Sequence, residues 1–207
     1  MFRDRQEAAE KLARRLSDLK GHNPLILAIP RGGVPMGRLL ADELEGELDV
    51  VLVRKIGAPG NPEYAIGAVG EEGRVQLEPA ANHYGEAAIT REIEKQQALI
   101  EERRRNYTPV RAPIDPEGRI VVVVDDGSAT GATMATALES LRPRNPSRLI
   151  AAIGAAPPET VARLERLADE VVCLLAPSGF AAVGQFFAEF GQVSDEEVMR
   201  LLGTEHG

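Results

Sequence analysis

The stretch Val121-Val-Val-Val-Asp125-Asp126-Gly127-Ser-Ala-Thr130-Gly131-Ala-Thr133-Met134 constrains this chain more than any other part of it. Four β-branched residues in a row predict a strand buried on both faces, the habit of a parallel sheet covered by helices. Two adjacent acids follow where that strand should end, in the crevice where such sheets bind ligands. A loop of small residues comes next, and Ala132-Thr-Met-Ala-Thr-Ala-Leu-Glu-Ser-Leu141 reads as a helix. A loop entering a helix N-terminus presents unpaired N–H groups and the positive end of the dipole, which suits phosphate. Carboxylates repel phosphate; they suit hydroxyls, or a divalent cation held through water. Acids beside a phosphate cradle therefore point to a sugar phosphate. A Walker A loop would need Lys where Ala132 stands, and Gly127 and Gly131 do not make a Rossmann G-x-G-x-x-G.

This string resembles the phosphoribosyl-diphosphate (PRPP) signature of the type I phosphoribosyltransferases. The resemblance implies that Asp125 and Asp126 bind the ribose hydroxyls and hold Mg²⁺ through water. It implies that Gly127, Ser128, Ala129, Thr130, Gly131 and Thr133 bind the 5′-phosphate. Pro30-Arg31-Gly32-Gly33 follows the first predicted core strand and resembles the family's pyrophosphate loop. Two glycines there allow close approach to an anion, and Arg31 supplies bidentate charge. A cis or strained Pro30–Arg31 peptide is expected, with the Gly32 and Gly33 amides opening toward Asp125. Val53-Arg54-Lys55-Ile56-Gly57 is similar to the R-K-x-G that opens the flexible loop of the adenine branch, so Arg54 and Lys55 would hold pyrophosphate. The later lysine usual in such loops is missing; Ala58 and Pro59 stand instead. Ala129 stands where the 6-oxopurine members have Asp, so a general acid or base must come from elsewhere. Glu63 is the candidate, with a solvated loop acid as the competing reading. Phe180-Ala-Ala-Val183-Gly184 loosely resembles a motif whose phenylalanine stacks on the base, although phenylalanines so spaced more often pack.

The 207 residues suit one domain over 1–207, with a core at about 20–175. An insertion is expected at about 56–117, and a hood from about 176–207 plus the first helix. The order of patterns predicts a doubly wound α/β fold with five mainly parallel core strands. Leu48–Val53 reads as the second strand, Ile56–Pro62 as a mobile or ligand-gated loop, and Tyr64–Val69 with Arg74–Leu77 as a hairpin. A long helix is predicted over 85–106, with Ile89, Ile93 and Ile100 as an exposed apolar stripe, and a further helix over 157–168. Arg103-Arg104-Arg105 reads as the solvated, dipole-complementing end of the long helix. A net charge of −8 argues against a general nucleic-acid binder. The single cysteine, Cys173, excludes an internal disulfide and reads as a small buried hydrophobe. No apolar run is long enough for a membrane span, and the first residues do not read as a signal peptide, so the cytoplasm is expected.

What the resemblance implies is transfer of ribose 5-phosphate from PRPP to a nitrogen nucleophile, with a nucleobase as the expected acceptor. Pyrophosphate is released and Mg²⁺ is the cofactor. Partners would be PRPP and the small acceptor, with neither nucleic acid nor membrane, and the chain would form a homodimer. The alternative is a non-enzymatic regulator sensing PRPP or a nucleotide on the same fold. A third reading is an enzyme acting on another ribose phosphate.

Overall fold

The computed structural model describes residues 1–204. In chain order its elements are α1 (Arg5–Arg15), β1 (Leu25–Ala28), α2 (Gly33–Leu44), β2 (Glu47–Val50), β3 (Val53–Ala58), β4 (Asn61–Gly70), β5 (Val75–Leu77), α3 (Glu86–Tyr107), β6 (Ile120–Gly127), α4 (Ala132–Leu141), β7 (Arg148–Ala155), α5 (Pro158–Leu164), β8 (Glu170–Leu175) and α6 (Asp195–Gly203). The main sheet runs β2-β1-β6-β7-β8, and each neighbouring pair is parallel. Side chains alternate across a strand, and each face has its own core. Ile26, Val122, Val124, Ile150 and Ala152 pack against α1, α2 and α6. Leu25, Leu27, Val121, Val123, Leu149 and Ile153 pack against α4 and α5. This is the doubly wound α/β architecture that the pattern of elements predicts.

Register sets the site. Ala28 lies opposite both Val50 and Val124, so the chain leaves β1, β2 and β6 at one level of one sheet edge. The loop after β1 that carries Arg31, the start of β3 with Arg54 and the end of β6 with Asp125 therefore meet there.

Beside this sheet stands a second one, β3-β4-β5, antiparallel throughout. It corrects two expectations. The strand expected over Leu48–Val53 ends at Val50, and Val53 already pairs with Gly70 in the second sheet. The turn formers of Ile56–Pro62 make no long loop; Ala58 pairs with Asn61 across a tight turn with Gly60 at φ +82°. An antiparallel partner is a non-local fact, and turn residues mark a bend without fixing its length.

Helix α3 covers the predicted span, but its isoleucines face inward: Ile100 is buried, and Ile89 and Ile93 pack against the core. The apolar stripe is thus used within the chain and gives no support to self-association. α5 stops at Leu164, short of the predicted Ala168. Cys173 is half-buried, not fully buried. The N-terminus joins the tail, since Phe2 N–H donates to Phe186 O at 2.7 Å and Ala188 N–H to Phe2 O at 2.9 Å. Ser194 caps α6, its Oγ accepting from Glu197 N–H at 3.1 Å. The last three residues of the expected hood, 205–207, lie outside the described residues. No described helix is long and apolar enough to cross a membrane.

Candidate active site

The loop between β6 and α4 is shaped at both ends. Gly131 precedes α4 with φ +76°, a left-handed conformation natural to glycine. Its N–H donates to Ser128 Oγ at 3.0 Å, and Ala132 N–H donates to Thr130 Oγ1 at 3.3 Å. α5 pins the loop from outside. Thr160 Oγ1 donates to Ala129 O at 3.0 Å, and Arg163 Nη1 donates to Thr130 O at 3.3 Å while pairing with Glu78 at 3.0 Å. Thr160 and Arg163 were not legible as loop residues, because nothing local distinguishes them from a helix surface.

The acids behave as a pair. Asp125 Oδ1 accepts from the Asp126 N–H at 2.9 Å. Asp126 is 8 % exposed, and its Oδ2 accepts from Arg5 Nε at 2.8 Å. Arg5 reaches there from the start of α1. It also donates from Nη1 to Gly191 O at 2.7 Å and lies 4.0 Å over the Phe190 ring. Burial, and next the charge of Asp126, push Asp125 well above the usual carboxylate range; the Asp126 amide, Arg5 and Lys55 act against it. Burial also raises Asp126, with Arg5 as the main opposing group. The sequence offered no sign of Arg5 as a site residue beyond one arginine among many.

The Pro30–Arg31 peptide is cis, as expected, but the Gly33 N–H, expected to open toward Asp125, instead donates to Ile29 O at 3.0 Å and closes the turn after β1. The two glycines after it are required by contact: a Cβ on Gly32 would collide with Asp126 Oδ2, and one on Gly33 would sit 2.6 Å from Val124 O. The arginine-glycine loop and the acid pair are therefore packed directly together.

A cavity of about 500 Å³ opens at this edge, lined by Pro30, Arg54, Lys55, Asp125 and Thr133 and, from α3, by Glu92, Lys95, Gln96 and Arg103. Five of the expected positions thus converge, counting Pro30 for its loop. Arg31 instead has Nη1 3.9 Å from Asp195 Oδ2, at the start of α6. Glu63 is exposed on β4 and does not line the cavity, although its neighbour Pro62 does. Phe180 packs on Phe186 with ring centroids 4.9 Å apart. The arginine run at 103–105 is not uniformly solvated. Arg103 faces this cavity, whereas Arg104 is half-buried, pairing with Glu71 at 2.7 Å and Asp49 at 3.2 Å. A larger cavity of about 590 Å³ lies beyond that cluster, between Leu27, Val51, Ile100, Ile114 and Leu141. It holds neither acid of the pair nor the phosphate loop, so the chemistry belongs to the smaller one.

Comparison with known proteins agrees with this geometry. Residues 3–186 match the family model described as "Phosphoribosyl transferase domain". A Mycobacterium tuberculosis protein named "Putative phosphoribosyl transferase" is 41% identical over 209 residues, covering 100% of this chain. The chain spans 47% of that relative's length. The crystal structure of TT1426 from Thermus thermophilus is 46% identical, covers 100% of both chains and superposes with a TM-score of 0.84. A purine phosphoribosyltransferase from Pyrococcus horikoshii, at 18% identity and 92% and 93% coverage, shares the fold with a TM-score of 0.51.

Proposed function

Because this chain belongs to the phosphoribosyl transferase domain family, we propose that it transfers ribose 5-phosphate from PRPP to a nitrogen nucleophile, a nucleobase being the expected acceptor. The observation that carries this reading is that Asp125, hydrogen-bonded to the Asp126 amide, lines one cation-rich cavity together with Thr133 from the start of α4. A helix N-terminus for one phosphate, hydroxyl acceptors beside it and cations beyond match the order of groups along PRPP.

In this reading the amides before α4, with Ser128, Thr130 and Thr133, hold the 5′-phosphate, and the acid pair accepts hydrogen bonds from the ribose hydroxyls. Arg54 and Lys55, with the Gly32 amide, hold the diphosphate. The acceptor nitrogen forms a bond to C1 as the C1–O bond to diphosphate breaks, and the nitrogen's proton leaves to solvent or to a nearby base. The protein's part is positioning and charge stabilisation. The acid pair offers only oxygen ligands. That fits Mg²⁺, which keeps its waters and takes further oxygens from a diphosphate. When bound, the ion would neutralise the leaving group.

Calorimetry with PRPP and Mg²⁺, followed by a screen of nucleobases and small amines for pyrophosphate release, tests the proposal. Binding with no turnover across the screen favours the sensing regulator. Absence of PRPP binding removes both.

A further inference from the structure

α3 turns a basic face to the candidate site. Glu92, Lys95, Gln96 and Arg103 are spaced by the steps that align side chains along one side of a helix, and all four line the cavity with Arg54, Lys55 and Asp125. Four cations thus face two carboxylates. Glu92 is already engaged, with Oε1 accepting from Gln96 Nε2 at 2.6 Å and Oε2 3.7 Å from Lys95 Nζ. Gln96 Oε1 accepts from Arg54 Nε at 2.6 Å, which fastens the β3 arginine to α3. Arg103 makes no ion pair among the described residues, and its charge opposes that of Arg54. Cations gathered with too few counter-charges favour a polyanion in the space between them. The β3–β4 turn, Ala58-Pro59-Gly60-Asn61, carries no cation of its own, so α3 is the cavity's second source of positive charge after β3.

We infer that Arg103 and Lys95 bind the diphosphate of the ligand, making α3 the wall that holds the leaving group. Arg103 offers a planar fork suited to two phosphate oxygens, and Lys95 a compact charge on a flexible stem. A 5′-phosphate seated at α4 does not need these groups, so they select a sugar phosphate that carries a second, multiply charged anion. The inference rests on the phosphoribosyl transferase reading above.

The test is calorimetry in Mg²⁺ with three probes: inorganic pyrophosphate, PRPP and ribose 5-phosphate. The proteins are the wild type, R103A, R103K, K95A and R105A, the last altering a neighbour outside this cavity. R103A is expected to weaken pyrophosphate and PRPP about tenfold or more, as loss of charge-assisted hydrogen bonds does. K95A should weaken them about threefold, with ribose 5-phosphate changed by less than about twofold in either variant, since phosphate contacts at α4 are untouched. R103K should recover part of the loss, and R105A should match the wild type. Melting curves check that each variant is folded; were R103A to unfold, R103K and K95A decide on the same readouts. Unchanged pyrophosphate and PRPP binding in folded R103A and K95A overturns this inference alone. Equal losses for ribose 5-phosphate and pyrophosphate overturn the diphosphate assignment. A wild type that binds none of the three probes overturns the phosphoribosyl reading, and this inference with it.

Discussion

Arg5, in the first turn of α1, donates from Nε to Oδ2 of Asp126, 121 residues away, at 2.8 Å. The contact joins the N-terminal helix to the end of β6 in surroundings where both side chains are nearly covered. The same guanidinium binds Gly191 O and lies over Phe190. One side chain therefore ties the second acid to the tail that closes over the sheet edge.

R5A leaves Asp126 as a buried carboxylate without its cation. Stability should fall by about 3 kcal/mol at neutral pH, the usual cost of breaking a covered ion pair. Losing Arg5 raises the folded pKa of Asp126 further, so the deficit should shrink as pH falls toward about 4, where the unfolded acid also protonates. Urea unfolding at several pH values checks this, and a deficit independent of pH would count against Arg5 acting through the Asp126 charge.

Asp125 carries the opposite lesson. Its folded pKa lies above the unfolded one because burial and Asp126 disfavour its charge. The native state then binds more protons between those two values, and stability falls as pH rises through that window and stays lower above it. D125N should be more stable than the wild type at neutral pH, on the order of 1 kcal/mol, with no gain below about pH 4. Its PRPP affinity should fall at least tenfold, roughly one charge-assisted hydrogen bond. In the wild type, PRPP binding should strengthen as pH rises through the elevated Asp125 range. Thermal melts and calorimetry over pH measure both.

Thr160 donates to Ala129 O from outside the phosphate loop. T160V keeps the shape and removes that donor, which is worth about 1 kcal/mol. PRPP affinity should drop about fivefold, with little change in the melting temperature. A variant with wild-type affinity would show that α5 does not shape the loop.

Arg104 serves the core. Asp49 is 2 % exposed, burial raises its pKa, and Arg104 is the main opposing charge. R104M should lower stability by about 3 kcal/mol at neutral pH, because two carboxylates lose their cation. The loss should ease on acidification as Asp49, whose folded pKa burial already raises, protonates. Denaturant midpoints at pH 7 and pH 5 supply the comparison.

The local sequence determined the signature strand, the acid pair, the small-residue loop and the helix after it, and all four stand where predicted. Such features follow from backbone preference and residue periodicity within a dozen positions, which a single chain displays openly. The meeting of the three segments after β1, after β2 and at the end of β6 was legible too, because parallel order brings strand ends to one edge. Tertiary structure alone decided which distant side chains complete the site. Arg5, Thr160 and Arg163 look in sequence like any polar residue on a helix. The arginine run shows why: consecutive helical residues are turned by roughly 100°, so packing sends Arg103 to the cavity and Arg104 into a buried cluster. Their composition is identical, and only the neighbours brought by long-range folding distinguish them. The same holds for Ile56–Pro62, whose turn formers announce a bend, while its conversion into β3 and β4 required a partner strand to supply the hydrogen bonds.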